Sequence, residues 1–234
     1  MFSESADLYD KIYTRLKDYR EEAGIVAGWI KRVCPNAHTV LDVACGTGEH
    51  DRFLSEDYQV DGIDLNPEFI RIAKDKNPHG NYGVQDMIEF ELDRRYDAIV
   101  CLFSSIGYVQ TLEKLHRTLA CFQRHLNDDG VILIEPWFTP EMWNTGVLHM
   151  TSVDEDQFKV CRMNVSELKG PRLSFFTFRY LVGTSNGITY FTEDHRLGLF
   201  TSSEMQEGFA AAGLRVQYDE PGIAARGLYI AQRR

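Results

Sequence analysis

Leu41-Asp42-Val43-Ala44-Cys45-Gly46-Thr47-Gly48 follows the β-rich pair Thr39-Val40 and precedes a stretch of helical character. A short apolar strand that breaks into a glycine turn and opens a helix is how doubly wound α/β proteins bring backbone against a small ligand. Glycine at 46 and 48 permits φ > 0 and keeps side chains out of the way, so both are expected at the ligand. A dinucleotide fingerprint would place a third glycine at position 51. The chain has Asp51 there instead, and a second carboxylate, Asp42, inside the strand end.

Outward from this turn the grammar stays α/β. Residues 5–33 carry apolar positions at helical spacing, including Leu8, Ile12, Leu16, Val26 and Ile30, and read as two helices closed by Cys34-Pro35. Gln59–Leu65 reads as a second strand, with Asn66 capping a helix that has Pro67 at its first position. Tyr82–Val84, Tyr96–Phe103 and Val131–Trp137 read as further strands, the last after a turn at Asn127–Gly130, and residues 112–126 as a helix. Beyond Trp137, Val160–Leu168, Leu173–Val182 and Ile188–Leu199 look like successive antiparallel strands, with Asn186-Gly187 as a hairpin turn. Ser203–Ala212 reads as a helix, and Leu214–Tyr218 and Gly227–Ala231 return to the main sheet. The expected architecture is a Rossmann-like α/β fold, a seven-strand mostly parallel sheet with helices on both faces and an antiparallel β insertion. Residues 1–137 would form the helices and nucleotide-binding core, 138–199 the insertion covering the active site, and 200–234 the final helix and strands.

The chain has 234 residues, 44% hydrophobic, enough for one substantial core. A formal charge of −10 repels phosphate backbones and anionic membranes at long range, so neither nucleic acid nor a membrane is an expected partner. No apolar stretch approaches the roughly 18 residues of a membrane span. Five scattered cysteines with no C-x-x-C pair suit reduced thiols in a cytoplasmic protein, and no metal is expected.

The D-x-x-x-G-x-G arrangement resembles motif I of class I S-adenosylmethionine (SAM) methyltransferases. In that frame Asp42, Ala44, Gly46 and Gly48 hold the cofactor. Asp64, about 20 residues past the turn, would grip both ribose hydroxyls, with Leu65 on the adenine. Asp86 would accept from the adenine amino group, and the Met87 amide would meet a ring nitrogen. Leu102, Phe103 and Ser104, after the fourth strand, would line the methionine end, with Ser105 toward the substrate.

A wider set of segments, A-D-L-Y-D-K-I-Y, K-D-Y, F-S-S-I-G-Y, E-P-W-F-x-P-E and A-R-G-L-Y, resembles the N,N-dimethyltransferases that act on nucleotide-linked deoxyaminosugars of macrolide antibiotics. The likeness runs nearly the whole chain, with Phe138 where a second tryptophan is usual and Ala224-Ala225 where Ser-Gly is expected. It implies a SAM-dependent N-methyltransferase whose substrate is a small amine, a nucleotide sugar in the first instance; another small amine or hydroxyl metabolite is the alternative. It implies that Tyr13 borders the reacting amine and that Tyr19 reaches the cofactor carboxylate. His195, on an inserted strand, is a candidate for the amine or a sugar hydroxyl, with a structural histidine as the competing reading. Arg179 and Arg226 are candidates for a diphosphate, because guanidinium matches phosphate oxygens in a two-pronged way, with a surface salt bridge as the competing reading for either. Trp137 offers a flat wall for a sugar or base. Exposed strand edges leave homodimerisation open.

Overall fold

The computed structural model describes residues 5–234. Helix α1 (Ala6–Tyr13) and helix α2 (Tyr19–Val33) precede the first strand. The Asp18 side chain accepts the Glu21 N–H at 3.0 Å and caps α2, which buries Ala23, Val26 and Ile30. Strand β1 (Thr39–Val43), helix α3 (Glu49–Leu54), strand β2 (Gln59–Asp64), helix α4 (Pro67–Lys76), strand β3 (Tyr82–Val84) and strand β4 (Tyr96–Cys101) follow in alternation. A short 3-10 turn (Ser105–Val109), helix α5 (Leu112–Arg124) and strand β5 (Leu126–Ile134) complete the first half. Five strands then form a second sheet: β6 (Leu148–Asp154), β7 (Phe158–Val165), β8 (Glu167–Lys169), β9 (Leu173–Thr184) and β10 (Gly187–Gly198). Helix α6 (Ser202–Ala211) and strands β11 (Leu214–Asp219) and β12 (Leu228–Arg233) end the chain.

The main sheet runs β11-β12-β5-β4-β1-β2-β3, parallel from β5 to β3, with β12 antiparallel to both neighbours. One face packs on α5 and α6 through Leu115, Leu119, Phe122 and Phe209, the other on α2 through Val26 and Ile30. The central strands are buried on both sides, which is why they read as continuous apolar runs.

Three local readings change. The expected turn at Asn127–Gly130 is a bulge inside β5, where the pairing jumps from Tyr96 with Leu126 to Ala98 with Val131. Strand β5 ends at Ile134 rather than Trp137, because Pro136 cannot donate to a ladder. The β9–β10 connection is Ser185-Asn186 between the paired Thr184 and Gly187, so the glycine opens the returning strand, with φ +126, instead of sitting in the turn. Strand β6 carries no regular apolar alternation, being exposed at most positions, and was not anticipated.

In the second sheet, ordered β10-β9-β7-β6, alternation is regular along β7 and over residues 176–182 of β9. Val160, Phe176, Phe178, Tyr180 and Val182 face inward and pack with Ile12, Tyr13 and Tyr19. This layer lies across the carboxyl ends of β1 and β4, where open α/β sheets hold ligands.

Candidate active site

The two turn glycines serve different purposes. A Cβ on Gly46, at φ +57, would point into open space, so this glycine leaves room for a ligand. A Cβ on Gly48, at φ +68, would meet Asn77 Nδ2 at 2.6 Å. That amide donates to the Gly48 carbonyl at 2.9 Å, so Gly48 is needed for packing of the turn on α4 and does not belong to the ligand wall. The Asp64 carboxylate accepts the Gly46 N–H at 3.0 Å and the Asn66 N–H at 2.8 Å, linking the ends of β1 and β2. Asp10 latches α1 onto the same turn, accepting Thr47 Oγ1 at 2.5 Å and Lys76 Nζ at 2.8 Å.

From this turn a cavity of about 980 Å³ extends to the inner face of the second sheet. Asp64, Leu65, Asp86 and Met87 line one end, and Leu65 is exposed. A narrow recess branches off, bordered by Tyr19, Asp42, Ala44, His50, Leu102 and Phe103. Asp42 is buried, and its Oδ1 has no hydrogen-bond partner among the described residues. Burial and the neighbouring Asp51 push the Asp42 carboxyl well above the usual carboxylate range, so the two acids meet over a retained proton. Beside the recess Glu22 Oε2 binds both His50 Nε2 at 2.8 Å and Lys17 Nζ at 2.9 Å, and the lysine ammonium sits 3.5 Å over the Phe103 ring.

After β4 the backbone takes two successive left-handed residues, Phe103 at φ 51 and Ser104 at φ 60. The fully buried Glu135 holds them: one carboxylate oxygen accepts the Phe103 N–H at 2.6 Å, the other takes Arg226 Nε at 3.0 Å and Nη2 at 2.5 Å. Ser104 is buried, and its hydroxyl donates to the Pro136 carbonyl at 2.7 Å, so Ser105, rather than Ser104, lies on the cavity wall. Arg226 does reach the cavity, with its charge already matched by Glu135.

On the capping side Tyr13 lines the cavity, its ring 5.1 Å from Phe103 and 4.5 Å from Tyr9. Trp137 lines it as well, with Nε1 donating to Ser174 Oγ at 2.9 Å. Arg179 does not: on β9 the inward positions are Phe176, Phe178 and Tyr180, so Arg179 points outward into solvent. The guanidinium in the cavity belongs to Arg162 on β7, donating to Tyr13 Oη at 2.9 Å. His195 is buried behind the wall, stacked 5.2 Å from Phe176, with Nδ1 2.8 Å from the hydroxyl of Tyr108, which does line the cavity. Burial pushes the imidazole down to about 3, so it is neutral at ordinary pH. His195 therefore adjoins the cavity through Tyr108. Arg162 escaped the sequence reading; a charged residue at an inward position of the alternating run Phe158-Val160-Arg162 was the signal available.

His125 is structural: Nδ1 bonds the Cys121 carbonyl at 2.9 Å and Nε2 accepts the Leu92 N–H at 3.1 Å. Among the described residues no group of His, Cys, Asp and Glu is arranged for a metal, and no helix is long and apolar enough to cross a membrane.

The open space at Gly46 and the carboxylate at the end of β2 fit SAM, and the fold and site together define a class I SAM-dependent methyltransferase. Residues 40–130 match the methyltransferase domain model. The chain is 36% identical over 97% of its length, and 89% of the relative's, to the dTDP-3-amino-3,6-dideoxy-alpha-D-glucopyranose N,N-dimethyltransferase of Streptomyces fradiae. The crystal structure of Streptomyces venezuelae DesVI superposes with a TM-score of 0.93 at 34% identity, covering 99% of each chain. SAM-bound CalS10, an amino pentose methyltransferase of calicheamicin biosynthesis from Micromonospora echinaspora, superposes with a TM-score of 0.89 at 33% identity, covering 97% of each. The chain belongs to this family of SAM-dependent sugar N-methyltransferases.

Proposed function

We propose that the protein methylates the amino group of a dTDP-linked deoxyaminosugar, transferring two methyl groups in succession. The observation that carries this reading is the single cavity that joins the glycine turn to the capping sheet, with room beside the cofactor for a nucleotide-sized molecule. The likeness to the Streptomyces fradiae enzyme, which includes the capping strands and the Arg226-Gly227-Leu228 segment, supports the substrate class. Bound SAM supplies an electrophilic methyl on sulfonium: the S–C bond breaks as the amine nitrogen forms its new C–N bond, and the proton leaves the nitrogen.

Alignment is the larger part of such a displacement, since reacting atoms must be held about 3 to 3.5 Å apart. Tyr13 and Phe103 provide the wall between the cofactor end and the cap, and the rings of Trp137, Phe176 and Phe178 exclude water. Tyr108, oriented by His195, offers its oxygen as a hydrogen-bond acceptor to the amine N–H or a sugar hydroxyl, and the released proton passes to water. Turnover assays with SAM and three acceptors, a dTDP-aminosugar, the free aminosugar and a simple secondary amine, test the reading by mass spectrometry. Efficient methylation of the simple amine with none of the nucleotide sugar would overturn it.

We also propose a homodimer through the outer face of the second sheet, where Tyr190, Leu181 and Cys161 form one cross-strand row and the first two are exposed. Sedimentation velocity tests it; a monomer at tens of micromolar protein would contradict it.

A further inference from the structure

Asp42 and Asp51 form a pair of acids to which, among the described residues, no cation is bonded. Asp42, on β1, is 1% exposed, and Asp51, in the first turn of α3, is 0% exposed. Their carboxyl groups lie within hydrogen-bond reach of each other. Tyr82 donates to one oxygen of Asp51 at 3.0 Å, while Oδ1 of each acid meets no other donor among the described residues. Two carboxylates this close in a dry site cannot both be ionised, so they share a proton.

The titratable groups around the pair are committed elsewhere. Lys76 on α4 binds Asp10 at 2.8 Å and Glu49 at 2.5 Å, and His50 on α3 binds Glu22 at 2.8 Å. Asp64 at the end of β2 is held by the backbone N–H groups of Gly46 and Asn66. Cys45 in the turn, Tyr82 on β3 and Cys101 on β4 are pushed up by burial and stay uncharged. Of these groups the pair alone can change its charge without breaking an ion pair or a backbone contact. It also adjoins the cofactor: Asp42 borders the narrow recess beside Ala44, Gly46 and Phe103, so a cation bound there acts on the pair at short range through a low dielectric.

SAM carries a sulfonium, and methyl transfer leaves a neutral thioether, so the ligand loses one positive charge on reaction. A nearby positive charge favours the ionised form of an acid, and its loss favours the protonated form. We infer that the Asp42–Asp51 pair senses this difference: it releases its shared proton to solvent when SAM binds and takes a proton back once the thioether remains, so the protein holds its cofactor more tightly than its product. One proton leaves and one returns in each cycle, apart from the proton that the amine gives up. Because release accompanies binding, SAM affinity rises with pH, and adenosylhomocysteine affinity rises less. The response belongs to the cofactor end and holds whichever amine is methylated.

Titration calorimetry in two buffers of different ionisation enthalpy, phosphate and Bis-Tris, counts the protons released on binding SAM and adenosylhomocysteine. At about pH 6, where the amino groups of both ligands are charged, wild type is expected to release about half a proton more with SAM. The ratio of SAM to adenosylhomocysteine affinity should grow severalfold between about pH 5.5 and 7.5. In D51N the amide donates to an ionised Asp42, so the extra release should vanish and the ratio stay flat with pH. D42N leaves Asp51 two donors and should behave alike, and adenosylhomocysteine binding at wild-type stoichiometry reports that each variant is folded. Equal release with the two ligands by wild type overturns the inference whatever the variants do. Extra release that persists in a folded D51N overturns it as well.

Discussion

Tyr108 Oη stands 2.8 Å from His195 Nδ1, and only the tyrosine reaches the cavity. The histidine is held by a stacked Phe176 and an edge-on Phe178, which fix its ring plane and leave Tyr108 one favoured orientation. With Nδ1 unprotonated the neutral imidazole accepts a hydrogen bond from the Tyr108 hydroxyl, which keeps its proton and turns its oxygen lone pairs toward the cavity.

Removing either partner should therefore have the same effect. Y108F and H195Q are each expected to lower kcat about tenfold or more, and the double variant to be little worse than either, the pattern of residues acting as a unit. Because burial holds His195 at about 3, its folded value lies below the ordinary 6.5 of a histidine. The unfolded chain then binds its proton more readily, so His195 opposes folding increasingly as pH falls from about 6.5 toward 3. Between about pH 5 and 9 the wild-type kcat profile should carry no imidazole limb; a limb near neutrality that H195Q abolishes would contradict this.

The glycine turn separates two phenotypes. G46A places a methyl where the cavity opens, and is expected to weaken adenosylhomocysteine at least tenfold with a smaller loss of stability from its φ of +57. G48A drives a methyl against Asn77 Nδ2 at 2.6 Å and should destabilise by about 1–3 kcal/mol in urea titration. Equal ligand affinities in the two variants would contradict the division.

Beneath the turn Asp42 and Asp51 are buried together, and Tyr82 Oη donates to Asp51 at 3.0 Å. Burial and mutual repulsion push Asp42 well above the usual carboxylate range, and burial raises Asp51 to about 6. The pair thus holds a proton in the folded state that the unfolded chain releases at lower pH, and its contribution to stability is lost as pH rises from about 4 through 6. D51N supplies a permanent donor to Asp42. Calorimetric scans without ligand should show this variant gaining a few degrees on wild type between about pH 4.5 and 7. A constant difference across that range would show that the pair shares no proton.

Glu135 holds both a strained backbone and Arg226. E135A removes the acceptor of the Phe103 N–H and leaves the guanidinium, 19% exposed, without its counter-ion. A loss of about 3 kcal/mol is expected by denaturant unfolding, and E135A/R226M should be no less stable than E135A alone. If E135A proves as stable as wild type, the left-handed pair at Phe103 and Ser104 has another support.

Much of the adenosyl end was legible because its determinants are local. Asp42, Ala44, Gly46, Asp64, Leu65, Asp86 and Met87 each sit at a fixed offset from a strand end, and all reach the cavity or its recess. Even there, Gly48 was misread: its requirement comes from Asn77, 29 residues away, and not from a ligand. Ser104 and Ser105 adjoin in sequence, yet a left-handed backbone turns one hydroxyl to Pro136 and leaves the other at the site.

The cap was less legible. Arg162 falls in phase with the buried Phe158 and Val160 of β7, whereas Arg179 falls out of phase with Phe176, Phe178 and Tyr180 of β9, so one enters the cavity and the other meets water. A shift of one residue inverts every side chain of a strand.

From its sequence alone this chain declares a parallel sheet, a glycine turn built for a cofactor and the carboxylates beside it, because strand, turn and helix signals act over a few residues. Which groups of the cap line the cavity was decided by packing: Arg162 joins Tyr13 across 149 positions and His195 joins Tyr108 across 87. Contacts at such separation exist only once the second sheet closes over the first, and side-chain alternation then selects which residue of each adjacent pair faces inward.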